Sequence, residues 1–541
     1  MSHPSCSPLS QSRHARSFSR HLLSPSMSAD AQRPRPKHAC ETCKTRKKKC
    51  NKSVPACSYC ILKDLECRYV PLRPRRVYAT PDTSDLSHTA TYREGIGADT
   101  VYDQTLSDPA GAQVAASRHT VYRPRFESLD DVHIEVQRII HSTAEFVDDL
   151  TSLYFRTLHV HLPIISRSRF QRSILATGSA PAPDFSVLLL TICLNSYIPS
   201  PGHRVQEGGV AGITRRRLYL STKALLAQVQ GSMQPSVPLI QASLLLAMYE
   251  YASGRADAAL ATVAACARMA YAAGIHTSRR DIVDATSRPE AAEAWNLWWG
   301  VVICERTFMC EAAAPEQPLT TTFPTDDASL PVERHVLDQG DLVDPGLVPN
   351  MPLLSSLTEP NVGGFARAAQ ACCLLDRIFE AMGIAEINTR LPRLESLDKS
   401  LQSFLSLILS RGPAKSWHHC TALAMTLRSL FILHGHILSI PREIRCISSR
   451  SLDEWKQSSL AALDTATTMV LDMANWHYDV LPPDRPSDIS PMQIYVVHAT
   501  LQHLRTRVHG GDSGSAPVWP TTAEEDLGRY LGRIQFQWVS S

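Results

Sequence analysis

Between residues 129 and 541 the apolar positions recur at helical spacing. In DDLTSLYFRTLHVHLPIISRSRF, Leu150, Leu153, Tyr154 and Leu158 follow an i, i+3, i+4, i+8 rule, one face of a helix. Pro163 is expected to end that helix, because it lacks the backbone donor and clashes with the preceding turn. PLIQASLLLAMYEYASGRADAALATVAACARMAYAAGIH predicts two helices joined at Ser253-Gly254. Ile240, Leu244 and Met248 share one face of the first, yet Leu245, Leu246 and Tyr249 lie off it, so this helix is apolar on most sides and predicted to be buried. The second presents Leu260, Val263, Ala267 and Ala270 and stops at Gly274, a residue suited to the left-handed C′ position, with Ile275 placed to pack back. Further helices are predicted near 288–310, 364–383, 394–410, 419–440, 452–476 and 489–508. Strand-like alternation is scarce, and the fold class is predicted to be all-α.

Toward the N-terminus the pattern fades. Residues 77–128 are rich in Asp, Thr, Ser, Gly and Ala without periodicity and predict a disordered linker. No three heptads with apolar a and d positions occur between Pro74 and Glu127, so a parallel coiled coil is not expected there. Ten serines and three prolines among the first 30 residues, with no acid before Asp30, suit a disordered tail better than a transit peptide. The resulting division is a tail at 1–35, a cysteine-rich module at 36–72, a basic arm and linker at 73–128, a helical domain at 129–345 and a helical continuation at 346–541.

Charge follows the same division. Residues 1–80 carry 17 Lys/Arg against 4 Asp/Glu, while the remainder carries 38 against 48. A basic end on an acidic body predicts a polyanionic partner for that end. No apolar run reaches the 18 or more residues that span a bilayer; the Ala-rich stretch 256–273 comes nearest, interrupted by Arg268. No secretory h-region is visible, which places the cysteines in a reducing compartment where clusters more often hold metal than form disulfides.

Six of the 15 cysteines stand at 40, 43, 50, 57, 60 and 67, with the spacing C-x2-C-x6-C-x6-C-x2-C-x6-C. The unit C-x2-C-x6-C occurs twice. Structural zinc takes four ligands, preferably thiolates, so three per unit leave each metal one short. Two bridging thiolates among the six would supply eight bonds, enough for two Zn2+. Three disulfides, a redox C-x-x-C and a four-cysteine ribbon with two spare thiols explain the spacing less well. A zinc enzyme would keep an open position for water and usually a histidine or carboxylate ligand, which an all-thiolate set does not.

From Ala39 to Tyr69 the chain resembles the fungal zinc binuclear cluster transcription factors, through the six cysteines, the basic stretch CKTRKKKC, Pro55 before the fourth cysteine and the ending CILKDLECRY. The resemblance implies that Cys40 and Cys57 bridge, that Cys43 and Cys50 complete one zinc site, and that Cys60 and Cys67 complete the other. It implies that Arg46 and Lys47 meet base edges, where guanine offers the O6 and N7 acceptors, while Lys44, Lys48, Lys49 and Lys52 meet phosphates. It further implies a nuclear, non-enzymatic regulator that reads a short CGG-type half-site in double-stranded DNA. Such regulators often control metabolic or secondary-metabolite gene clusters. Arg33, Arg35 and Lys37 before the module, and Arg73, Arg75 and Arg76 after it, agree with a DNA backbone partner.

The helical region from about Val147 to Pro331 resembles the fungal-specific transcription factor domain, or middle homology region, through LYFRTLHVHLPIISRSRF, QASLLLAMYEYASGRADAAL, ARMAYAAGIH and AEAWNLWWGVVICERTF. Val160 stands where that family often has proline, and Glu316-Gln317-Pro318 where it often has Gly-Arg-Pro. The implied partners are the transcription machinery or co-regulators, with homodimerisation open. The alternative is a helical nuclear scaffold or metabolite-sensing co-regulator whose basic module serves import. Trp298-Trp299, Tyr249-Glu250-Tyr251 and Cys372-Cys373 are expected in the core. His418-His419-Cys420 and the pair His159 and His161 are not expected to form metal sites. GGDSGSA at 510–516 echoes a serine-protease nucleophile loop around Ser513, but an all-α chain lacks the double β-barrel that loop needs, so a flexible loop is predicted.

Overall fold

The structure, a computed structural model, describes residues 39–46, 48–53, 56–63, 67, 129–175, 180–198, 213–277, 289–313, 317–339, 352–410, 419–442, 451–480, 489–509, 519–536 and 538. The chain divides into two compact units, Met1–Val114 and Ala115–Ser541. All the described secondary structure is helical apart from one isolated bridge between Ser329 and Leu353. The predicted linker at 77–128 and the GGDSGSA stretch lie outside the described residues.

The first unit holds two short helices, α1 (Glu41–Thr45) and α2 (Ser58–Leu62). Each is N-capped by the first cysteine of a C-x-x-C pair, Cys40 and Cys57, both with extended backbone. The sequence repeat is therefore also a structural repeat.

The second unit opens with a 3-10 turn, Leu129–Asp131, and α3 (Val132–His141), α4 (Val147–Arg156), α5 (Leu158–His161), α6 (Arg167–Leu175), α7 (Pro183–Ser196) and α8 (Arg215–Ser232). It continues through α9 (Val237–Ala252), α10 (Ala256–Ala272), α11 (Pro289–Met309), α12 (Arg334–Gln339) and α13 (Gly364–Met382). The last five are α14 (Ile387–Leu409), α15 (Cys420–Ser439), α16 (Leu452–Val480), α17 (Gln493–His509) and α18 (Ala523–Gln535). Two helices act as hubs. α9 packs against α7, α8, α10 and α11, and α15 packs against α13, α14, α16 and α17. α11 touches α9, α10 and α13 and so joins the two halves.

The hubs are buried because their sequences leave no polar face. Every residue of α9 from Leu239 to Ala252 is buried. Both glycines predicted to end helices adopt the left-handed backbone, Gly254 at φ 77° and Gly274 at φ 72°. At Gly274 the amides of Gly274 and Ile275 donate to the carbonyls of Tyr271 and Ala270, and at Gly254 the amides of Gly254 and Arg255 donate to Tyr251 and Glu250. These are Schellman closures, and Ile275 packs against the core as expected.

Four expectations need correction. The helix of residues 147–156 ends before Pro163, because Thr157 leaves the helical region at φ −113°, ψ −91° and turns its hydroxyl onto the Leu153 carbonyl at 2.7 Å. α14 begins at Ile387, seven residues before the predicted start at 394, and runs through Pro392. The buried side chains of Ile387 and Leu391 anchor that first segment, offsetting the hydrogen bond the proline cannot donate. α16 extends to Val480, four residues past its predicted end at 476. The stretch nearest to a membrane span is Cys420–Ser439, not 256–273; by length and composition it passes, but 72% of its apolar window is buried inside the protein. It is α15, the core hub, and its apolarity faces other helices.

Gly300 on α11 permits a close crossing. A Cβ there would lie 2.9 Å from Ile164 Cγ2 and 3.0 Å from Leu244 Cδ2. Gly435 in α15 has open space instead. Gly300→Val is expected to destabilise the helical unit by ~1–3 kcal/mol through overpacking. Gly435→Ala is expected to stabilise it by about 0.5–1 kcal/mol through helix propensity. Denaturant unfolding followed by helical circular dichroism measures both, and equal effects would refute the packing difference.

Candidate metal centre and nucleic-acid interface

α1 and α2 bring the six cysteines together. Cys40, Cys43, Cys57 and Cys60 have no exposed surface, and Cys50 and Cys67 are half-buried. The Sγ atoms of Cys40, Cys43, Cys50 and Cys57 lie within 4.8 Å of one another, and so do those of Cys40, Cys57, Cys60 and Cys67. Two four-sulfur sets thus arise from six sulfurs, with Cys40 and Cys57 in both.

The separations identify what the sulfurs suit. Cys40 Sγ lies 3.7 Å from the sulfurs of both Cys57 and Cys60, Cys43 Sγ lies 3.5 Å from Cys57 Sγ, and Cys50 Sγ lies 4.0 Å from Cys40 Sγ. A disulfide needs about 2.05 Å. A tetrahedron with Zn–S bonds of ~2.3 Å has edges of about 3.8 Å. Each set is therefore able to coordinate one structural Zn2+, giving a binuclear cluster. Cysteine sulfur accepts hydrogen bonds from backbone amides at two places, Cys43 N–H to Cys40 Sγ at 3.4 Å and Cys57 N–H to Cys67 Sγ at 3.3 Å.

The thiols differ without metal. Burial pushes Cys40 and Cys43 up and pushes Cys60 up to about 12, whereas the Cys60 amide and neighbouring thiols lower Cys57 to about 6. The raised thiols must lose protons for zinc to bind.

Four of the six basic candidates, Lys44, Arg46, Lys48 and Lys49, are exposed on α1 and the return that follows it. The Lys48 amide donates to the Cys43 carbonyl at 2.9 Å, which folds the return back against the cluster. Lys52 is half-buried and holds a left-handed backbone at φ 58°. Lys47 lies outside the described residues. One tie escaped the sequence: Asn51 accepts from the Ser58 amide at 2.9 Å and donates to the Ser58 hydroxyl at 2.5 Å, joining the two repeat halves at the first turn of α2. An Asn eight residues after the second cysteine carries no signal of that role unless both repeats are already superposed.

The other residues singled out are structural. Trp298 and Trp299 are buried, the latter donating from Nε1 to the Ser329 carbonyl at 3.2 Å. Tyr249, Glu250 and Tyr251 are buried on α9, with Glu250 accepting from Lys223, Tyr219 and Thr262. His159 is buried 3.0 Å from Asp338, and burial lowers its pKa. Cys372, Cys373 and Cys420 are buried thiols that burial raises, Cys420 to about 12. His419 is buried, and His418 lies outside the described residues. Among the described residues, the two sulfur sets are the metal-competent groups.

Comparison with known proteins agrees with this geometry. The Fungal Zn(2)-Cys(6) binuclear cluster domain matches residues 38–76, and the Fungal specific transcription factor domain matches residues 151–329. Transcription factor BOA15 of Botryotinia fuckeliana (strain B05.10) is 29% identical over 154 residues, which cover 28% of this chain and 77% of that protein. Transcription factor kojR of Aspergillus flavus (strain ATCC 200026 / FGSC A1120 / IAM 13836 / NRRL 3357 / JCM 12722 / SRRC 167) is 26% identical over 205 residues. Transcription factor kojR of Aspergillus oryzae (strain ATCC 42149 / RIB 40) is 28% identical over the same length. Both alignments cover 34% of this chain and only 36% of the relative. No solved structure matches the chain.

Shared and unshared sulfurs make different predictions. Cys57→Ser is expected to lose both metals, because each set then keeps only three sulfurs. Cys67→Ser is expected to retain more zinc than Cys57→Ser, because it leaves the first set whole. Elemental analysis of the purified chain reads this directly, and equal zinc in the two variants would refute sharing. Lowering the pH is expected to weaken loading, since protons compete for the thiolates.

Proposed function

Because this chain joins a fungal Zn(2)-Cys(6) binuclear cluster domain to a fungal specific transcription factor domain, the domain pair of nuclear, non-catalytic regulators, we propose that it reads a short GC-rich half-site of the CGG type in double-stranded DNA. In this reading two structural Zn2+ are held with Cys40 and Cys57 bridging, Cys43 and Cys50 completing one site, and Cys60 and Cys67 the other. The observation that carries it is the pair of four-sulfur sets sharing two members, with exposed cations between the second and third of those cysteines.

Metal–sulfur bonds fix α1, and α1 with its return presents the cations as one rigid surface. Arg46 and Lys47 take the base-edge role, and Lys44, Lys48, Lys49 and Lys52 meet phosphates. Fixed cations supply affinity through counterion release, while base-edge contacts supply sequence choice. The helical unit takes the regulatory role, contacting transcription machinery or co-regulators, and the genes controlled are those of a metabolic or secondary-metabolite cluster. A homodimer is compatible with this reading; residues 74–127 provide no coiled-coil seam for it.

Site selection from random DNA with the zinc-loaded full chain tests the proposal, and an enriched CGG-type half-site is the expected result. Absence of any enriched sequence would refute it. Lys47→Ala is expected to relax base preference at one position by ~1–3 kcal/mol. Lys49→Ala is expected to weaken all sequences alike and to reduce the salt slope by about 1. Identical behaviour of the two variants would overturn the division of labour.

A further inference from the structure

A half-open cavity of about 390 Å3 lies between α4 and α6. Asp148, Ser152 and Phe155 line it from α4, at i, i+4 and i+7, so they share one helix face. Arg167, Phe170 and Ile174 line it from α6, at i, i+3 and i+7, again one face. The floor is aromatic and fixed. Phe155 is 5% exposed and Phe170 4% exposed. Their rings meet edge to face at 5.4 Å, and Phe185 of α7 backs Phe170 at 5.3 Å. The rim is polar, with Asp148, Ser152 and Arg167 exposed to solvent.

The two charges stand at opposite ends. The Arg167 guanidinium lies over the Phe155 ring, 5.6 Å from its centre. Asp148 precedes Phe155 on α4 by about two turns, ~10 Å along the helix axis. The start of α6 therefore meets the end of α4, and Asp148 marks the far end of the cavity from Arg167. The two do not pair with each other. An ion pair would draw the rim together; here an aromatic-floored space separates the cation from the anion. Ligand pockets run from about 300 to 1,000 Å3 and combine an apolar lining with a few polar groups that set orientation. This cavity has that make-up, and its volume at the low end suits a single ring.

We propose that the cavity between α4 and α6 binds a small aromatic monocarboxylate that carries a hydrogen-bond donor opposite its carboxyl group. Arg167 takes the carboxylate, the ring lies against Phe155 and Phe170, and Asp148 accepts from the distal donor. Asp148 also selects, because a second carboxylate at that end would meet like charge. The site lies within the helical unit and does not depend on the DNA reading.

The test is a ligand-observed NMR titration of the zinc-loaded full chain with para-hydroxybenzoate. Saturable binding is expected, with Kd about 0.1–1 mM for a ligand of this size. Phenol, which lacks the carboxylate, and terephthalate, which carries a second one, are each expected to bind about tenfold more weakly. Arg167→Gln is expected to weaken para-hydroxybenzoate about tenfold. Asp148→Asn is expected to close the gap between para-hydroxybenzoate and terephthalate, a change of preference that mere loss of stability would not produce. Ser152→Trp, at an exposed position, is expected to fill the cavity and abolish binding while helical circular dichroism stays unchanged. Arg172→Gln, on the same helix but outside the lining, is expected to keep it. Absence of saturable binding to the wild-type chain would overturn the proposal. So would unchanged binding in Arg167→Gln or Ser152→Trp, or terephthalate bound by the wild type as tightly as para-hydroxybenzoate.

Discussion

Sulfur sharing is the constraint on which the N-terminal unit depends. A segment of some thirty residues cannot bury enough apolar surface to fix its own backbone. Two tetrahedral metals require eight sulfur bonds, and six cysteines meet that requirement only if two of them count twice. Cys40 and Cys57 hold the shared positions, and each also caps a helix. The same residues thus hold the shared positions and stand at the starts of α1 and α2, Cys40 also capping through its sulfur, which accepts from the Cys43 amide. Structural zinc contributes ~10–16 kcal/mol in comparable peptides, far more than so small a core could supply.

That arrangement explains why lysines and arginines are crowded among the cysteines. Held in a flexible chain, five cations between Cys43 and Cys50 would attract DNA without fixing any register. Held by α1 and by the Lys48 amide on the Cys43 carbonyl, the four described ones, Lys44, Arg46, Lys48 and Lys49, become a surface of fixed spacing. Two bound zincs and six thiolates leave the cluster itself at about −2 by simple charge balance, and the neighbouring cations partly offset that charge. The acidic remainder of the chain is repelled by nucleic acid, which leaves the basic end as the surface DNA attracts.

Much of this was legible in residue spacing alone. The repeated C-x2-C-x6-C gave the count, two zincs sharing two of six thiolates, while the choice of Cys40 and Cys57 as the shared pair came from the family resemblance. Gly254 and Gly274 were legible because only glycine enters the left-handed region cheaply. The rest was hidden for physical reasons. α7 is apolar nearly all round, so its residues Val187 to Leu194 show no 3.6 period, and α8 begins on three arginines that resemble a surface loop. α18 is a clean amphipathic helix with acids in its first turn, and the pattern was present but short. Asn51 was illegible because its partner, Ser58, belongs to the other repeat.

The helical unit meets the complementary problem: abundant apolar surface that by itself specifies no register. Hubs that are apolar on every face pack in many rotations with similar energy. Buried polar ties remove that freedom. Glu250 accepts from Lys223 and Tyr219 on α8 and from Thr262 on α10, fixing the rotation of α9. Glu293 on α11 accepts from Gln241 on α9 at 2.8 Å and from the Ser166 amide at 3.0 Å, which sets α11 against the same hub. In the second half Tyr530 of α18 bonds to His477 of α16 and to Gln493 of α17. The Tyr530 hydroxyl donates to the Gln493 side-chain carbonyl oxygen, which leaves Nδ1 of His477 to donate to the hydroxyl. Burial lowers the His477 pKa to about 4, which favours the neutral ring that this tie uses. The α9 hub and the α16–α18 group are thus located by polar contacts that other rotations would leave buried and unpaired, at a cost of ~1–3 kcal/mol per group.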